Sequence, residues 1–63
     1  MTRQEYNRKI VESLSQQVER HPQQRFGQLL VNLGILEYRP GAEMVDPFYE
    51  EPAETFSRMS TVV

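Results

Sequence analysis

No cysteine occurs among the 63 residues, and histidine occurs once, as His21. The first absence excludes disulfides and thiolate-bound metals and leaves the redox compartment unmarked. The second leaves too few ligands for a histidine-based structural zinc site. Tryptophan is missing as well, and no apolar run approaches the roughly 20 residues that span a bilayer. Met1-Thr2-Arg3-Gln4-Glu5 has no apolar stretch behind it, so no secretory signal is read and a cytoplasmic protein is expected. Glycine-rich phosphate loops, nucleophile elbows and metalloprotease motifs are lacking. No cofactor or metal is therefore expected, and the chain is not read as an enzyme.

What remains is a single small domain, residues 1–63, with 60–63 expected to fray. A chain this short buries only about 60% of the surface that its unfolded form exposes. Small chains usually add a disulfide, a metal or a partner subunit, and composition leaves the partner subunit. Net charge is −2, unevenly placed. Residues 1–31 hold five basic and three acidic side chains, whereas 32–63 hold two and six. That split fits two halves folding against each other, or head-to-tail contacts between copies.

The spacing predicts a first helix over residues 3–20. Thr2 and Glu5 have the T-x-x-E spacing of a capping box. Tyr6, Ile10, Val11, Leu14 and Val18 fall within an arc of about 140° on its wheel. Pro22 disfavours helix at the residue before it and suits the first position of a new one, so a second helix is predicted over 22–33 with Gly34 as its left-handed cap. Phe26, Leu29, Leu30 and Leu33 form its main apolar face, and this helix is taken as the buried hub. Gly27 and Val31 lie on another side, where a glycine implies close approach by another segment. Two apolar sides on one helix are more than a short chain covers, so a homodimer is expected.

Residues 35–45 flank Arg39-Pro40-Gly41-Ala42, a type II turn signal, and are open between a short β-hairpin and a plain loop. Asp46 and Pro47 predict a tight turn, and Pro52 a short helix over 52–59 with Ala53, Phe56 and Met59 inward. Glu50, Glu51 and Glu54 would complement its positive end and Arg58 its negative end. The fold class is mainly α, a three-helix domain.

Candidate site residues are few. Arg25, Gln28 and Asn32, spaced 3 and 4 apart, share an edge of the second helix. Either they form a recognition edge, or Arg25 ties that helix to Asp46 or Glu50 while the amides cap loops; the tie is preferred. His21 reads as a surface residue. Asp46, Glu50 and Glu51 lack the alternating ligands of a calcium loop. Phe48 is expected in the core, and Tyr49 at its rim or in a contact between molecules. Thr61-Val62-Val63 has the form of a C-terminal PDZ ligand, which three residues match often by chance.

The segments HPQQRFGQLLVNLG and DPFYEEPAETFSRM resemble a family of very short proteins of bacterial genomes and prophages. Its pattern is P-D-x-R-F-G-Q-L followed, after a variable link, by D-x-F-Y-x-E-D. Pro22, Arg25, Phe26, Gly27, Gln28 and Leu29 match the first part; Asp46, Phe48, Tyr49 and Glu51 match the second. Gln23 and Pro52 stand where the family tends to have acids. The resemblance covers about half of the chain. It implies a small helical protein of phage–host or mobile-element biology and carries over no site residue.

The expected function is thus that of a non-enzymatic interaction or regulatory protein docking on a partner protein, with Arg25, Gln28, Asn32 and Tyr49 as contact candidates. The alternative is a nucleic-acid-associated protein using the basic side of the first helix, Arg3, Arg8, Lys9 and Arg20, together with Arg25. So few phosphate contacts make that partner the weaker expectation.

Overall fold

A computed structural model describes residues 1–38, 40–41 and 44–60, residue 60 by its backbone alone. The hairpin's Arg39 and Ala42, the C-terminal Thr61-Val62-Val63 and the fraying expected at 60–63 lie outside the described residues or side chains. The chain is mainly helical: α1 spans Arg3–Arg20, α2 spans Phe26–Leu33 and α3 spans Pro52–Ser60, with a 3-10 turn at Pro47–Tyr49. No described helix is long and apolar enough to cross a membrane.

Each boundary follows from local chemistry. The capping box of α1 is reciprocal: Glu5 N–H donates to Thr2 Oγ1 at 3.1 Å, and Thr2 N–H to Glu5 Oε1 at 3.2 Å. α2 begins at Phe26, four residues later than predicted. Pro22 serves a turn instead, closed by Gln24 N–H on the His21 carbonyl at 3.1 Å. The fixed φ of proline suits the second position of a β-turn as well as the first position of a helix, and here the turn wins. Arg25 is then the N-cap, extended at ψ 154°, and its N–H donates to Gln28 Oε1 at 2.9 Å.

The end of α2 is as expected. Gly34 takes φ 82°, Ile35 N–H donates to the Leu30 carbonyl and Gly34 N–H to that of Val31, both at 3.0 Å. This is a Schellman motif, and it turns Ile35 back onto Leu30 and the core. Among the described residues of 35–45, Glu37 and Val45 form an antiparallel bridge, exchanging hydrogen bonds of 3.0 and 2.8 Å. Gly41 has the positive φ, 73°, that a type II turn requires.

The core is small. Leu33, Ile35 and Met59 form it, with Ile10, Leu14 and Leu30 packed around them. Leu29 and Thr55 are also buried. α1 meets both other helices, α3 more extensively than α2, and Tyr6 lies against Phe56 with ring centres 5.9 Å apart. So α2 contributes two of the buried residues, but α1 is the element that both others share. The hub expected in α2 is divided.

Three expectations fail. Val11 and Val18 of α1 are exposed, as is Phe26 of α2. At 100° per residue Val11 and Val18 lie at one edge of the α1 arc, about 80–100° round from Ile10, whereas the half-buried Tyr6, Ile10, Ser13, Leu14 and Gln17 mark the face that packs. Phe26 stands in the first turn of α2. Gly27, expected beneath a close neighbour, has nothing within 4 Å of where a Cβ would stand.

Core truncation and arc truncation should therefore separate. Leu33→Ala is expected to cost about 2–5 kcal/mol, enough to unfold much of so small a domain. Val11→Ser should stay within about 0.5 kcal/mol of the parent. Urea titration followed by far-ultraviolet circular dichroism checks both.

Candidate docking surface

Two side chains organise the second half of the chain. Arg58 reaches from α3 to the end of α2: its Nε donates to the Gly34 carbonyl at 2.6 Å and its Nη2 to the Ile35 carbonyl at 2.7 Å. The same guanidinium grips Glu50, with Nη1 on Oε2 at 2.8 Å and Nη2 on Oε1 at 2.6 Å. Thr55 Oγ1 adds a third donor to that carboxylate, at 2.6 Å. Both charges are largely out of solvent, at 15% and 14% side-chain exposure. Bidentate, charge-assisted pairs of this kind are the strong class of hydrogen bond. The Arg58 hydrogen bonds outweigh the opposite push of burial and, with help from Thr55, hold the Glu50 carboxyl below its ordinary value.

Glu50 in turn sets the aromatic pair before it. Asp46 caps the 3-10 turn by accepting the Phe48 N–H at 2.8 Å. Residues three apart eclipse in such a turn, so Pro47 and Glu50 share its inner side. Both are half-buried and line one recess with Ile10, Ile35 and Thr55. Phe48 and Tyr49 are left outside, 81% and 94% exposed, their rings 4.7 Å apart and edge to face at 72°. The expectation that Phe48 enters the core is thus overturned: the inward place goes to Glu50, because Arg58 is there to receive it. Tyr49 stands in the open.

The Arg25–Gln28–Asn32 edge is exposed, and Arg25 pairs with neither Asp46 nor Glu50. Among the described residues the end of α2 is joined to the acidic half by Arg58, on the Gly34 and Ile35 carbonyls, while Arg3 of α1 reaches Glu51 at 2.8 and 3.0 Å on the surface. Gln28 instead closes on the Arg25 N–H. Gln28 and Asn32 also line an open groove of about 460 Å³ on the outer side of α2, with Gln24, Gly27, Val31 and Tyr38. The Gln24 side-chain carbonyl there is buried and has no hydrogen-bond partner among the described residues.

Sequence reading missed the roles of Glu50, Thr55 and Arg58. Arg58 lies three residues after Thr55, one helical turn, and Glu50 stands just ahead of the helix that carries both. That spacing was a usable signal, although a charge at each helix end explained the same residues more simply. Asp46, Glu50 and Glu51 turn to separate partners, and no three His, Asp or Glu side chains among the described residues converge as metal ligands. On the α1 wheel Glu5, Glu12 and Glu19 fall between Arg8 and Lys9, which breaks up the basic side. His21 is exposed.

No protein-family model, curated protein or solved structure matches the chain.

The depressed Glu50 carboxyl links stability to pH. A carboxyl that holds its proton less tightly when folded adds stability above its unfolded value, and that stability is lost as pH falls through the folded value. Thermal melts are expected to be flat near neutrality and to drop below the ordinary carboxylate range. Glu50→Gln should remove about 1–2 kcal/mol at neutral pH and flatten the acid limb.

Proposed function

We propose that the chain is a small non-enzymatic docking protein that offers Phe48 and Tyr49 to a partner protein in the cytoplasm. The observation that carries this reading is the pinned turn: two large aromatic rings stand in solvent on backbone held by Asp46 on one side and by Glu50 on the other. Burying a phenylalanine side chain stabilises a fold by about 1.5–3 kcal/mol. A domain with so small a core leaves that gain unused within itself. Aromatic residues are the usual anchors of protein interfaces, and anchors already held in place lose little freedom on binding.

The surroundings describe the partner. Asp46 and Glu51 flank the pair in sequence and are exposed, Glu51 beside Arg3, so the complementary surface is an apolar cleft with a polar rim that is basic opposite Asp46. The same acids repel a phosphate backbone, which counts against stacking on single-stranded nucleic acid. The likeness to prophage-borne proteins supports a place in phage–host or mobile-element biology.

A double variant, Phe48→Ser with Tyr49→Ser, tests the reading. Its melting is expected to match the parent within about 0.5 kcal/mol, as for exposed positions. Affinity capture from the host's extract with mass spectrometry should show a protein held by the parent and absent from the variant. Equal capture by both, or a variant that melts well below the parent, overturns the proposal.

A further inference from the structure

We infer that the groove between α1 and α3 binds a small organic monocarboxylate, its acid group on Arg20 and its apolar body against α3. The groove shares no residue with the Phe48–Tyr49 turn, and the inference does not rest on the docking reading. Its volume is about 390 Å³, within the range of small-ligand sites, about 300–1,000 Å³.

The two sides of the groove differ in kind. One is polar and comes from α1: Ser13, Gln16, Gln17 and Arg20. Spaced i, i+3, i+4 and i+7, they share one helix face. The other is apolar: Leu33 from α2, with Phe56 and Met59 from α3. Leu33 and Met59 are buried and Phe56 is half-buried, so Phe56 offers most of the surface on that side. A helix face turned towards its neighbours is ordinarily apolar. Gln17 lies within about 20° of both Tyr6 and Ile10 on the wheel, where an apolar residue would continue the core. None of the four polar side chains makes a hydrogen bond or ion pair among the described residues. Their donors are unspent.

Charge selects the ligand. Arg20 is the one charged residue of the described lining, so a cation is repelled and a single negative charge is matched. A phosphate dianion would keep one charge unmatched. The last turn of α1 favours a cation, which holds Arg20 in place without using its N–H donors. That planar fork takes a carboxylate on two parallel hydrogen bonds. The helix end opposes the anion, but more weakly than such a pair attracts it. The Gln16 and Gln17 amides, one turn away, add neutral donors. Ser13 stands about 10 Å before Arg20 along the helix, which leaves room for a medium-chain acid laid along Phe56.

Titration of the whole chain with octanoate at neutral pH, followed by nitrogen-15 and methyl carbon-13 resonances, tests this. Saturable shifts are expected at the side-chain amides of Gln16 and Gln17, at Arg20 and at the Met59 methyl, with Kd on the order of 1 mM. Arg20→Gln, at an exposed position, should keep the circular dichroism of the parent and weaken binding about threefold or more. Octanol, which keeps the apolar body and lacks the charge, should bind the parent more weakly by at least that factor, a comparison that needs no variant. The Phe48→Ser, Tyr49→Ser variant should bind octanoate as the parent does, so failure of this proposal and failure of the docking proposal are told apart. No saturable shift up to about 20 mM octanoate overturns the inference. So do shifts centred on other residues, loss of binding with the aromatic pair, and an Arg20→Gln protein that binds like the parent. Equal binding of octanol also overturns it, by marking an apolar groove without acid recognition.

Discussion

The Arg58 guanidinium holds together three pieces of chain that side-chain packing joins only weakly. One planar group bonds the carbonyls of Gly34 and Ile35 at the end of α2 and the Glu50 carboxylate ahead of α3. Gly34 and Ile35 follow the last turn of α2, so this cation stands at the negative end of that helix. α2 and α3 meet each other less than either meets α1, so the core of Leu33, Ile35 and Met59 depends on a polar clamp at its edge. Breaking such a pair is more damaging than its net contribution implies, because one charge stays behind without its partner.

The same clamp accounts for the surface. A chain of six aromatic residues leaves four of them exposed, at Phe26, Tyr38, Phe48 and Tyr49. Phe48 and Tyr49 are outside because Glu50 is inside, and Glu50 is inside because Arg58 awaits it. Phe26 is outside because α2 starts late and is short. Tyr38 lies against the outer side of α2.

Local signals were legible in the sequence. The Thr2–Glu5 box, the Gly34 stop, the Asp46-Pro47 turn and the Pro52 start are decided within a few residues, and each is found where the spacing put it. On α3 the inward place of Met59 was legible, whereas that of the more deeply buried Thr55 was not. Long-range choices were not. Pro22 suits a turn and a helix start equally, and only the surrounding fold selects between them. Phe48 reads as core by hydrophobicity, and its exposure depends on a side chain ten residues on. Of the candidate contact residues, Tyr49 stands exposed, Gln28 and Asn32 flank the α2 groove, and Arg25 has no part in the tie expected of it.

The central claim is that Arg58 fixes the turn that carries the aromatic pair. Nitrogen-15 relaxation of the Phe48 and Tyr49 amides in Arg58→Lys, set against the parent, addresses it most directly, because lysine keeps the charge but not the planar fork. The parent should show order parameters near the rigid value of about 0.85, and the variant values falling towards about 0.6 at these two residues while α1 remains ordered. Equal order at both amides in the two proteins, with the fold intact, would contradict the account.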